Sequence, residues 1–225
     1  MLRATLDREL RALCDRVLML GSKVEKAVAN SVEILKRQDL EAAKELILAD
    51  REINRARFKI EEQGLALIAT QQPLAGDLRM VAAVLDIATE LERIGDYAKG
   101  IAKITRLIGQ QPLIKPLVDL PLMADKALEM LRDALNAFVH QDAESARRIP
   151  SRDDEIDALY NQISRELTSL ILSNPRTMEQ ANYLLWAAHN LERTADRVTN
   201  ICERIVFTVT GSMQELDTHF EKGHP

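Results

Sequence analysis

Apolar residues recur at three- and four-residue steps over long stretches of the chain, which is the period of an amphipathic helix. From Thr5 to about Arg37 the positions Leu6, Leu10, Leu13, Val17, Leu20, Val24, Ala27, Val28, Val32 and Leu35 follow this rule. They predict a helix of roughly nine turns. Gln38-Asp39 ends it, and Asp39 is placed to cap a second helix from Leu40 to about Thr70. Ile47, Ile53, Phe58, Ile60, Leu65 and Ile68 are buried candidates on that helix. Gln71-Gln72-Pro73 stops it, because proline cannot continue the hydrogen-bond ladder. A third helix runs from about Ala75 through Leu78, Val81, Leu85, Ala88, Leu91, Ile94, Ala98 and Ile101 to about Leu107.

Pro112, Pro116 and Pro121 then interrupt the pattern, marking 110–121 as a linker. After it the plan repeats: a helix from Leu122 to His140, a long segment from Ala143 to Leu172, and a last helix from about Met178 to Thr210. Gln141-Asp142 echoes Gln38-Asp39, and Asn174-Pro175 echoes Gln72-Pro73. At an offset of 103, Asp50, Ile53, Ile60 and Leu67 meet Asp153, Ile156, Ile163 and Leu170. The offset falls to 100 along the third helices, so the length difference sits at the second turn, where it is tolerated. Pro150 interrupts the second long segment, predicting a kink or break near Ile149 to Ser151 with Ser151 recapping. The expected fold is all-α: two tandem three-helix bundles related by internal duplication, spanning 1–109 and 122–211, with a polar tail from 212 to 225.

Composition supports this reading. Glycine (8) and proline (7) are scarce, and apolar residues at 46% suffice for an extended core. A net charge of -5 with dispersed acids, and only 4% aromatics, argue against nucleic acid as a partner. Cys14 and Cys202 have no paired spacing and read as free thiols of a reducing compartment. The sequence has no apolar run of about 18 residues, so a soluble cytoplasmic protein is expected.

Candidate chemistry is concentrated in a duplicated Leu-Glu-Arg-x-x-Asp, at residues 91–96 and 191–196. In each copy the carboxylates stand one helical turn apart on one face, Glu92 with Asp96 and Glu192 with Asp196. Short connections make consecutive helices antiparallel neighbours. Counting back from each second turn then places Asp50 beside Asp96 and Asn54 beside Glu92, and likewise Asp153 beside Asp196 and Asp157 beside Glu192. Acids so close raise one another's pKa unless a cation neutralises them, and hard oxygen donors suit divalent or iron-type ions. His189, Asn200 and Glu203 project near Glu192 and Asp196 on the same helix. The plainer reading is a solvated face whose acids pair with Arg93 and Arg193. Trp186 reads as core and His140 as surface. No nucleotide loop, zinc spacing, nucleophile elbow or Glu-x-x-His appears. A carboxylate-metal hydrolase or oxidase, and a metal-free helical adaptor, stand as alternatives.

Gln72-Pro73-Leu74-Ala75-Gly76-Asp77-Leu78-Arg79, the two Leu-Glu-Arg-x-x-Asp copies and Asp50-x-x-Ile53-Asn54 together resemble the PhoU family of bacterial phosphate-transport regulators. The resemblance covers nearly the whole chain. It implies a cytoplasmic negative regulator rather than an enzyme, damping phosphate-starvation signalling of the Pho regulon. Its implied partners are the ATPase subunit of the phosphate ABC transporter and a sensor histidine kinase. A homodimer is implied as well, with membrane contact only through protein partners. Family members hold metal clusters through E/D-x-x-x-D motifs. Carried onto this chain, those ligands are Glu92, Asp96, Glu192 and Asp196, and the antiparallel count adds Asp50, Asp153 and Asp157. The metal would be Mg, Mn, Fe or Zn. Thr194-Ala195 stands where the family has Ile-Gly, a departure that bears on whether both sites are occupied alike.

Overall fold

The structure, a computed structural model, describes residues 2–216, and the part of the expected tail beyond 216 lies outside the described residues. Among the described residues seven α-helices follow in order: α1 (Leu2–Arg37), α2 (Leu40–Gln71), α3 (Gly76–Ile108), α4 (Asp119–His140), α5 (Ala143–Arg148), α6 (Asp153–Ser173) and α7 (Met178–Thr210). Among the described residues none of these is long and apolar enough to cross a membrane.

The two Gln-Asp pairs do the same work twice. Gln38 and Gln141 take left-handed backbone, with φ of 54° and 50°, and close α1 and α4. The next residue donates its N–H back over the last turn, Asp39 to Ile34 at 3.1 Å and Asp142 to Ala137 at 2.9 Å. Its carboxylate then caps the following helix, Asp39 accepting from Ala42 and Asp142 from Glu144 and Ser145. At the second turn Ala75 sits at φ 50°, ψ -114°, a region suited to glycine. Ala75→Gly is therefore expected to stabilise the fold by about 1 kcal/mol. A thermal melt should show a rise of roughly 2–4 °C.

Three expectations are corrected here. The helix after the linker begins at Asp119, not Leu122, because Pro121 falls in its first turn, where a missing N–H breaks no intrahelical bond. Pro150 does interrupt the next segment, as a 3-10 turn over Ile149–Arg152. Ser151 does not recap, however; its hydroxyl donates back to the Arg148 carbonyl at 2.7 Å. Phe58, Leu65 and Trp186 are not core, being 54%, 56% and 55% exposed. α2 is a flanking helix that buries only a narrow strip including Ile53, Ile60 and Leu67, and Trp186 lies on the surface against the Tyr183 ring.

α1, α2 and α3 form one three-helix group and α4 to α7 the other, with the two joined where α3 lies along α7 and α1 touches α4. α3 and α7 are antiparallel. Arg79 lies by Gly211, Asp86 pairs with Arg204, Glu90 accepts from Asn200, the Arg193 guanidinium stacks over Tyr97, and Gly100 lies by Asn190. Gly95, by contrast, turns away from this seam toward Ile53 of α2. The buried apolar side chains of both groups form one continuous core. The linker is held on both sides. Gln38 Nε2 donates to the Gly109 and Gln111 carbonyls, while Gln180 accepts from the Ile114 N–H and donates to the Pro112 carbonyl.

Candidate functional site

The first acidic set lies between α2 and α3. Gly95 makes room for it, since a Cβ there would come within 3.0 Å of Ile53 Cδ1. That close approach brings Asp50, only 4% exposed, up against the α3 face carrying Glu92 and Asp96. Lys99 joins the two helices. Its ammonium donates to Asp50 Oδ2 at 2.6 Å and to Asp96 Oδ1 at 3.2 Å. Asn54 Nδ2 adds a longer bond to the same Asp50 oxygen, at 3.4 Å. The predicted neighbours are thus together: Asp50 beside Asp96 through a shared lysine, and Glu92 close enough to feel both. Burial first, then the Asp96 charge, pushes the Glu92 carboxyl above the ordinary glutamate range, with Arg57 opposing and Asp50 adding to the rise.

The second set lies between α6 and α7. Asp153 is buried at the first turn of α6, where the break at Pro150 has created a helix N-terminus that favours a carboxylate. Asp157, Glu192 and Asp196 are half-buried. Burial, then repulsion from Asp196, raises the Glu192 pKa; His189 opposes this and Asp157 adds to it. Asp157 and Glu192 are therefore neighbours, as counted from the turn. His189 belongs to this set, with Nδ1 3.0 Å from Glu192 Oε2 and its ring 6.1 Å from that of Tyr160. Asn200 and Glu203 do not belong to it. Asn200 Nδ2 donates across the seam to Glu90, and Glu203 accepts from the Leu216 N–H. Arg93 and Arg193 do not take up the adjacent glutamates either; Arg93 bonds Glu90 and Arg193 covers Tyr97.

A carboxyl group whose folded pKa is raised costs stability while it is ionised. Stability therefore rises as pH falls toward and through the raised value. Glu192→Gln is expected to raise the metal-free melting temperature at pH 7 and to shrink the gain seen between pH 7 and pH 5. Melts of both proteins at the two pH values check this.

The two sets are equivalent in sequence but not in charge. Asp50, Asn54, Arg57, Glu92, Asp96 and Lys99 become Asp153, Asp157, Tyr160, Glu192, Asp196 and Thr199. Three carboxylates and two cations are replaced by four carboxylates and no cation at these six positions. Lys99 went unnoticed in the sequence, although its place three residues beyond Asp96 puts it on the same helical face. Among the described residues no three His, Cys, Asp or Glu side chains converge as a formed metal-binding group. The donors of the second set nonetheless suit a hard divalent ion in kind, being carboxylates with one imidazole.

The Asp77-Leu78-Arg79 element lies elsewhere. Asp77 pairs with Arg3 of α1, and both Asp77 and Arg79 line an open cleft of about 710 Å³ at one end of the bundle, between α1, α3, α4 and α7.

The chain matches the PhoU domain family twice, over residues 17–105 and 120–205. It is 34% identical over 218 residues to the "Phosphate-specific transport system accessory protein PhoU homolog" of Aquifex aeolicus, covering 97% of this chain and 99% of that one. It is 35% identical over 210 residues to the protein of the same name from Rhizobium meliloti, covering 93% and 89%. The crystal structure of the phosphate transport system regulatory protein PhoU from Streptococcus pneumoniae superposes with a TM-score of 0.87. The two are 32% identical, with 93% of this chain and 99% of that one covered.

Proposed function

The chain belongs to the PhoU family, and we propose that it acts as the regulatory accessory protein of a phosphate-specific transport system. The observation that carries this reading is the end-to-end match to relatives that bear that name, with both copies of the repeat included. In this reading it is a cytoplasmic negative regulator without catalytic chemistry of its own. It restrains phosphate uptake and Pho-regulon signalling by contacting the transporter's ATPase subunit and a sensor histidine kinase. A homodimer is the working form, and its membrane contact runs through those partners.

The second acidic set is the proposed metal centre, with Asp153, Asp157, Glu192 and Asp196 as ligands and His189 within reach. Support comes from four carboxylates at equivalent positions and from the raised Glu192 pKa, which marks repulsion that a cation would relieve. A divalent ion held there would neutralise these charges and join α6 to α7. The acidic seam would then become a defined docking surface.

The test is a deletion strain complemented with the natural protein or with Glu192→Gln/Asp196→Asn, read by a phosphate-starvation promoter in high phosphate. The natural protein is expected to restore repression. The double variant, at equal protein level, is expected to leave the promoter active. Full repression by the double variant would remove the site from the function, and no effect of the deletion itself would remove the regulatory reading.

A further inference from the structure

The first acidic set does not fit a metal ion, and the reason is a side chain of the protein itself. We propose that Lys99 is a tethered counter-cation that occupies the first site in place of a metal, so that divalent ions are taken up at the second site alone. This rests on the reading of the second set as a metal centre.

The geometry places the Lys99 ammonium between carboxylates of two different helices, 2.6 Å from Asp50 on α2 and 3.2 Å from Asp96 on α3. A metal ion bridging the same two carboxylates would need oxygens at about 2.0–2.6 Å and would fall almost where Nζ lies. Two cations cannot share that position, so metal entry requires the ammonium to leave. The ammonium is favoured in that competition. It is attached one turn from Asp96, which gives it an effective concentration of millimolar or more without any translational cost of binding. Its main partner is also 4% exposed, so water screens the pair poorly. Lys99 itself is only a quarter exposed. Arg57 adds positive charge next to Glu92.

The second copy differs at these same positions. Thr199 stands where Lys99 does, Tyr160 where Arg57 does, and Asp157 where Asn54 does. Duplication has therefore produced one site that neutralises itself and one whose own equivalent residues supply acids only. The first site becomes a permanent internal bridge between α2 and α3, and metal-dependent ordering is confined to α6 and α7.

The experiment is a titration with Mn2+ by calorimetry, with metal content measured after dialysis, on untagged full-length protein. The natural protein is compared with Lys99→Thr, Thr199→Lys and Glu92→Gln/Asp96→Asn, each checked for helical content. Lys99→Thr is expected to roughly double the bound Mn2+ by opening the first site. Thr199→Lys is expected to abolish uptake at the second, and Glu92→Gln/Asp96→Asn to leave the natural stoichiometry unchanged. If Lys99→Thr folds and gains no Mn2+, or if Glu92→Gln/Asp96→Asn loses it, the tethered-cation proposal is overturned. If Lys99→Thr does not fold, undiminished uptake by Thr199→Lys overturns it. Absence of Mn2+ uptake by the natural protein would instead overturn the reading of the second site, while added uptake by Lys99→Thr over that baseline would still decide the role of the lysine.

Discussion

Lys99→Ala is expected to destabilise the metal-free protein by about 2–3 kcal/mol at pH 7. The charge left behind is the reason. Asp50 is buried at 4% exposure and would keep only the long Asn54 bond, with Asp96 and Glu92 still repelling it. Removing one partner of a fully buried pair costs more, about 3–5 kcal/mol, and the lower figure allows for the quarter exposure of the lysine. For a chain of this size the melting temperature should fall by roughly 5–10 °C.

The pH dependence has a definite sign. The hydrogen bond to Asp50 raises the Lys99 pKa above its ordinary 10.5, against the opposing effect of burial. The stabilisation is thus complete below 10.5 and is lost as pH rises through the higher folded value. Denaturant titrations should show a constant gap between natural protein and Lys99→Ala from pH 7 to 10 that narrows only beyond it. Pairing Lys99→Ala with Asp50→Asn should recover part of the loss, because the orphaned charge is then gone. A gap of less than about 0.5 kcal/mol at pH 7 would place this pair among ordinary surface ion pairs.

Leu91→Ala is the second large effect, expected at about 3–4 kcal/mol. Leu91 is wholly buried on α3, in the continuous core that α3 shares with α7. Its consequence for the other half of the molecule is the informative part. The single tryptophan, Trp186, lies on α7 and reports on the second repeat. If the α3–α7 seam makes the two repeats one cooperative unit, tryptophan fluorescence and helical circular dichroism should shift together in Leu91→Ala. A fluorescence transition that stays at the natural midpoint while the helical signal splits would mean that the repeats unfold separately.

Much of this architecture was legible in the chain because its signals are periodic and local. The Gln-Asp turns are an example: a left-handed closing residue and a capping carboxylate use only neighbouring backbone groups, so Gln38-Asp39 and Gln141-Asp142 could be recognised without knowing the packing. Burial was less legible where a helix sits at the edge. Phe58 and Leu65 continue an apolar period, yet α2 has neighbours on one side only, so both stay exposed. Asn200 shows the complementary failure. Helical angle placed it near Glu192, but α3 runs along α7 and offers it Glu90.

The acidic sets divide in the same way. Spacing along one helix, together with short turns, determines that Glu92 and Asp96 meet Asp50 and that Glu192 meets Asp157, since both follow from the helical repeat and the antiparallel return of the chain. What cancels the charge is a tertiary matter. Lys99 is one of 30 basic residues, and only the close approach of α2 to α3 at Gly95 brings its ammonium between two carboxylates. Electrostatic energy depends on distances of a few ångströms and on exclusion of water. Sequence sets which charges can meet, and the packing of helix against helix decides which of them are already satisfied.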